Sequence, residues 1–197
     1  LQYYPVIGFF RISGPFIPQR PEDSRSLRKV LICKPANAAQ EPACARQILT
    51  TIARKAYRRP VNEQDMESLM GFYEEGRKLG RFEDGIELAL RRLLASPQFL
   101  VRAEREPANM VSGKPYRITD LELASRLSFF LWSSIPDDQL INLATQGKLS
   151  SPVVLEQQVR RMLADPRSKA LVENFAGQVL YLRNLPVTSP DGKFYPN

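Results

Sequence analysis

From Pro42 onward the apolar residues recur every three or four positions, and the runs are cut at Pro60, Pro97, Pro136, Pro152 and Pro166. That spacing lines one face of a helix. Proline lacks an amide hydrogen and disfavours the helical conformation in the residue before it, so it is tolerated where a helix opens or just after one closes. A chain patterned this way is confined to packed helices joined by turns. The fold class read from it is mainly α: two small helical subdomains, about seven helices in all, preceded by an N-terminal strand that belongs to an upstream β-domain.

The individual helices follow from their stripes and caps. Ala45, Ile48, Leu49, Ile52, Ala53 and Ala56 share a face that must end near Arg59. Asn62 offers a cap for a second helix with the stripe Met66, Leu69, Met70 and Tyr73, stopping near Gly80. A third, Glu83 to Ala95, is expected to bury Ile86, Ala89, Leu90, Leu93 and Leu94. Thr119 and Glu122 match a capping box, in which the threonine side chain satisfies an orphan amide and the glutamate reaches back. The helix they open has only Glu122 and Arg126 as a polar wedge and is expected to lie between two layers. Pro136-Asp137-Asp138, Ser151-Pro152 and Asp165-Pro166 open three more, the last carrying Leu171, Phe175, Val179 and Leu182 on one face.

Residues 3–17 mix β-branched and aromatic side chains and stop at Gly14-Pro15, which favours one strand. A lone strand cannot stabilise itself and is assigned to the upstream β-domain. The chain divides into this terminal strand (1–17) and a linker with a short apolar run and Cys33 (18–43). A first helical subdomain (44–101), a second linker (102–116) and a second helical subdomain (117–197), cut short, follow. Without an initiator Met or a signal-peptide pattern, the chain reads as a piece of a larger polypeptide. No run of about 18 apolar residues occurs to span a bilayer.

The residue inventory restricts chemistry. The 197 residues include no histidine and two cysteines, which removes Ser-His-Asp triads, Cys-His pairs, His-based metal sites and Cys-x-x-Cys-His haem attachment. No catalytic, cofactor-binding or metal-binding residue is assigned, and the segment is read as non-catalytic. Cys33 and Cys44 flank a stiff loop rich in Pro and Ala; a disulfide between them would tie the end of the short apolar run, read as a strand end, to the first helix and imply an oxidising compartment, with free buried thiols as the alternative.

The formal charge of +7 is uneven, with eleven Lys/Arg against three Asp/Glu in residues 1–60. Arg54, Lys55, Arg58 and Arg59 crowd the end of the first helix, either as a solvated helix end or as a docking patch for an acidic partner. No base-stacking or groove-reading module accompanies them, so there is no clear nucleic-acid signature. Acid pairs at Glu74-Glu75, Glu83-Asp84 and Asp137-Asp138 read as solvated faces. Glu74 has Arg77 and Lys78 at ion-pair spacing, Glu87 has Arg91, and Glu156 has Arg160. Trp132 is a core residue by pattern and, failing that, the flank of a docking surface.

Two stretches carry a family resemblance. The first runs from Cys44-Ala45-Arg46-Gln47-Ile48-Leu49 through Ala53-Arg54-Lys55-Ala56-Tyr57-Arg58-Arg59-Pro60-Val61 to Leu93-Leu94-Ala95-Ser96-Pro97-Gln98-Phe99-Leu100. The second is Asp120-Leu121-Glu122-Leu123-Ala124-Ser125-Arg126-Leu127-Ser128-Phe129-Phe130-Leu131-Trp132-Ser133-Ser134-Ile135-Pro136-Asp137. They resemble the planctomycete-type domains of unknown function 1595 and 1592, found in large exported proteins that often carry c-type cytochrome modules. The resemblance implies a periplasmic, cell-surface or secreted protein, and no reaction. What it implies for this segment is a structural and docking scaffold, with no cofactor of its own and any c-type haem elsewhere in the protein or complex. Its partners would be other domains of the same polypeptide or subunits of a redox complex. A non-catalytic part of a secreted polymer- or glycan-active enzyme is the alternative, and a basic module binding anionic polymers the second.

Overall fold

The computed structural model describes residues 24–102, 104, 111 and 113–182. Every regular element among them is helical. The N-terminal strand expected at residues 3–17 and most of the linker 102–116 lie outside the described residues. The described residues fall into two units, one ending at Ile32 and one beginning at Cys33.

In the first unit, α1 (Arg25–Val30) occupies a stretch that the sequence reading leaves as linker and apolar run. The Ser24 side chain accepts from the Leu27 amide at 3.0 Å, and Arg28 and Lys29 stand at the negative end of the helix dipole. One cap and two end charges suffice for six residues too few to show a period.

The second unit opens with a 3₁₀ turn (Ala38–Gln40) leading into α2 (Glu41–Tyr57), followed by α3 (Glu63–Arg77) and α4 (Phe82–Leu94). The expected cap at Asn62 is present and is reciprocated by Asp65. Ala45, Ile48, Leu49, Ala53, Met66, Leu69, Tyr73, Ile86, Ala89 and Leu93 are buried. Helices α3 and α4 approach closely because glycines face each other. A Cβ on Gly76 would lie 2.5 Å from the Asp84 carbonyl oxygen, and one on Gly85 would lie 2.6 Å from the Tyr73 ring. Leu94, expected in the core, is half exposed because α4 ends there and turns away. Ser96 and Pro97 then open a further turn, α5 (Pro97–Leu100), rather than only closing α4. Of the expected pairs, Glu87–Arg91 and Glu156–Arg160 form. Arg77 instead reaches across to Glu41, and Lys78 pairs with Glu75.

The Thr119–Glu122 capping box opens α6 (Asp120–Trp132), and Asp137 caps α7 (Asp138–Thr145), so Pro136 precedes the cap instead of starting the helix. A 3₁₀ turn (Lys148–Ser150) leads to α8 (Pro152–Ala164), with Pro152 in its first turn as expected. Ala124, Leu131, Trp132, Leu140, Ala144, Leu149 and Met162 form one buried cluster. The layered position expected for α6 is met on one side only: Ala124, Ser128, Leu131 and Trp132 are buried, whereas Phe130 is 51% exposed.

The last helix is not regular. Asp165 caps a 3₁₀ turn at Pro166–Ser168, and Leu171–Ala176 adopts the wide π conformation before α9 (Gly177–Val179). The wide turn rotates the face that a regular period would have buried. Phe175, Val179 and Leu182 are exposed, while Gly177 is buried. No described helix is long and apolar enough to cross a membrane.

Candidate docking surface

The basic turn predicted to end the first helix is formed, and most of its charge is directed into the molecule. Arg54 reaches the first turns of α7, with Nε 3.4 Å from Asp138 Oδ1 and Nη2 donating to Asn142 Oδ1 at 2.6 Å. It therefore joins the two groups of helices. Arg58 closes α2 with φ 57°, the left-handed region that glycine normally fills. Its guanidinium donates to the carbonyls of Ala56 (2.9 Å), Gln98 (2.8 Å) and Val101 (3.3 Å), fastening α2 to the end of α5.

Arg59 forms a two-pronged pair with Asp65, at 2.6 and 2.9 Å, and its guanidinium lies 5.4 Å from the centre of the Tyr57 ring. The Asp65 hydrogen bond, working against burial, raises the pKa of Arg59. Burial pushes Asp65 the other way, but the Arg59 bond, the Asn62 amide and the Arg59 charge hold it below the usual carboxylate range. Of the four cations, Lys55 is exposed and forms no ion pair among the described residues.

Trp132 is far from a surface flank. It is 2% exposed, its Nε1 donates to the Met162 carbonyl at 2.9 Å, and guanidinium groups cover the ring. The Arg167 carbon lies 3.5 Å and the Arg161 carbon 5.7 Å from its centre. Those arginines are held by carboxylates: Arg161 by Asp137 at 2.7 and 3.2 Å, Arg167 by Asp165 at 2.7 and 2.9 Å. Asp137, read from sequence as part of a solvated pair, is thus half buried and takes part in the cover over the indole. The arrangement is a built core: a buried indole capped by two partly exposed guanidinium groups in cation–π contact.

Cys33 and Cys44 are bonded to each other, with their Cα atoms 5.9 Å apart. The bond fixes the loop that precedes α2 to the buried face of that helix. Both thiols are therefore spent, and the sequence has no imidazole, so these residues do not fit covalent haem. No group of three or more His, Cys, Asp or Glu side chains among the described residues is arranged to hold a metal ion.

What sequence reading missed is a cleft between the end of α2, α5 and the start of α6, with a volume of about 1120 Å³. Arg58, Arg102 and Arg126 line it, as do Glu104 and Glu122. Arg126 is paired with Glu104, whose hydrogen bond raises the arginine's pKa. Arg102 stacks over Phe129 at 4.2 Å. An aromatic at 129 after an arginine in a linker carries no periodic signal, which is why the cleft was not legible.

With that geometry in place, comparison with known families gives two matches. The family model described as Protein of unknown function (DUF1595) matches residues 44–104, and the one described as Protein of unknown function (DUF1592) matches residues 118–197. Among curated proteins and among solved structures nothing matches.

Proposed function

From a chain that belongs to these two families in tandem, neither of which brings a reaction with it, we propose a structural and docking scaffold: a segment of a large exported, cytochrome-c-associated redox protein or complex, with any haem carried on other segments or subunits. One observation carries the reading. Side chains at the end of α2 fasten helices to one another, Arg54 to α7, Arg58 to α5 and Arg59 to α3. A turn that joins both helical groups fixes their relative placement, which is what a scaffold supplies. The Cys33–Cys44 bond supports a periplasmic, cell-surface or secreted location, because cytosolic thiols are kept reduced. The redox context rests on the family resemblance.

Purification of the native assembly with this chain in it, followed by intact mass and absorption measurements, tests the reading. The expected result is covalent haem in the assembly and none on this segment. An assembly without haem, or turnover of a substrate by the segment alone, would overturn it.

A further inference from the structure

Two of the guanidinium groups that line the α2–α5–α6 cleft have no carboxylate partner among the described residues. Arg58 is bonded only to neutral carbonyl oxygens. Arg102 presents one face to the Phe129 ring at 4.2 Å, which leaves the N–H groups along its planar edge unspent. The two are near neighbours, since Arg58 bonds the carbonyl of Val101, the residue before Arg102. Burial, and next the Arg102 charge, lower the pKa of Arg58, the mark of positive charge left without a counter-charge. Elsewhere in the same cleft the fold does pair its arginines, Arg59 with Asp65 and Arg126 with Glu104.

We infer that this cleft binds the carboxylate of an acidic peptide segment, seated between Arg58 and Arg102. Planar guanidinium edges match a carboxylate through charge-assisted hydrogen bonds. The remaining walls choose among anions. Tyr57, Pro60, Pro97 and Leu121 offer apolar surface, and Glu104 and Glu122 add negative charge. A strand with a charge on every unit meets repulsion from those glutamates, whereas a single carboxylate flanked by apolar side chains does not. The inference rests on the scaffold reading for its partner, a neighbouring protein segment.

The test uses the 197-residue chain labelled for arginine Nε–H resonances. It is titrated with the capped peptide acetyl-Ala-Leu-Glu-Leu-Ala-amide, its glutamine counterpart, inorganic phosphate and heparin. The glutamate peptide should shift the Arg58 and Arg102 signals saturably. The glutamine peptide should not. Arg102→Gln should weaken binding about tenfold or more, and Lys55→Gln should leave it unchanged, with circular dichroism unaltered in both. Equal binding of the glutamine peptide, loss of binding in Lys55→Gln, or heparin or phosphate binding tighter than the glutamate peptide would overturn the inference. A haem-bearing assembly that forms normally around Arg102→Gln would remove this site while leaving the scaffold reading intact.

Discussion

Trp132 shows how a single side chain can anchor a small core. Its ring fills the buried cluster, its N–H satisfies the Met162 carbonyl, and its face carries two arginines that are themselves pinned by Asp137 and Asp165. Trp132→Ala should cost about 3–5 kcal/mol in urea unfolding, since it opens a cavity as well as removing contacts. Trp132→Phe should cost less, about 0.5–1.5 kcal/mol, because the Met162 carbonyl loses the indole N–H but still accepts from the Asp165 amide. The carboxylates that hold the cover set an acid limit. Burial raises the pKa of Asp137, but Arg161, the Leu140 amide and the charges of Arg161 and Arg167 bring it below the ordinary 3.8. Bonds from the Arg167 side chain and amide lower Asp165 to about 2. A carboxyl depressed in the folded state stabilises the fold above its unfolded pKa and ceases to do so as pH falls through the folded value. Melting temperature should therefore hold near neutrality and fall between about pH 4 and 2. The Asp165→Asn chain should show a shallower fall over that window.

At the level of elements, the α3–α4 pair depends on two residues without side chains. Gly76→Ala pushes a methyl group against backbone at Asp84 and Gly85, neither of which can rotate away, and should cost about 1–3 kcal/mol in the same unfolding measurement. Reduction of Cys33–Cys44 should lower stability by roughly 3 kcal/mol, the chain entropy regained by a loop of this size; unfolding curves with and without reductant would read it. The caps at Asn62 and Thr119, and the Asp165-Pro166 start, were legible from sequence because each is a local pattern of two to four residues, whereas Asp137 read as an acid in a first turn begun by Pro136 and is the cap itself. The stripes of α2, α3 and α4 were legible too. Helix α1 and the α5 turn were not, being too short for a period to register, and the wide turn at Leu171–Ala176 was not, because its apolar spacing still reads as regular.

In the second unit as a whole, the clustering of Arg54, Lys55, Arg58 and Arg59 was visible in the sequence, but its use was not. The partners of Arg54 lie 84 and 88 residues further on, and nothing local announces them. Exposed pairs of this kind contribute little to global stability, so Arg54→Gln should shift the unfolding free energy by less than about 1 kcal/mol. Its effect should appear in hydrogen exchange, with faster amides in the first turn of α7 and the last turn of α2 while the buried cluster keeps its protection. The π conformation near the C-terminal end of the described chain has a different consequence. A wide turn is one residue longer than a regular helix needs, and each residue turns a helix by about 100°. Which side of Phe175 and Val179 meets water is thus decided by a tally along the backbone and not by the kinds of side chain, so a lineage could exchange inside for outside there by losing a single codon.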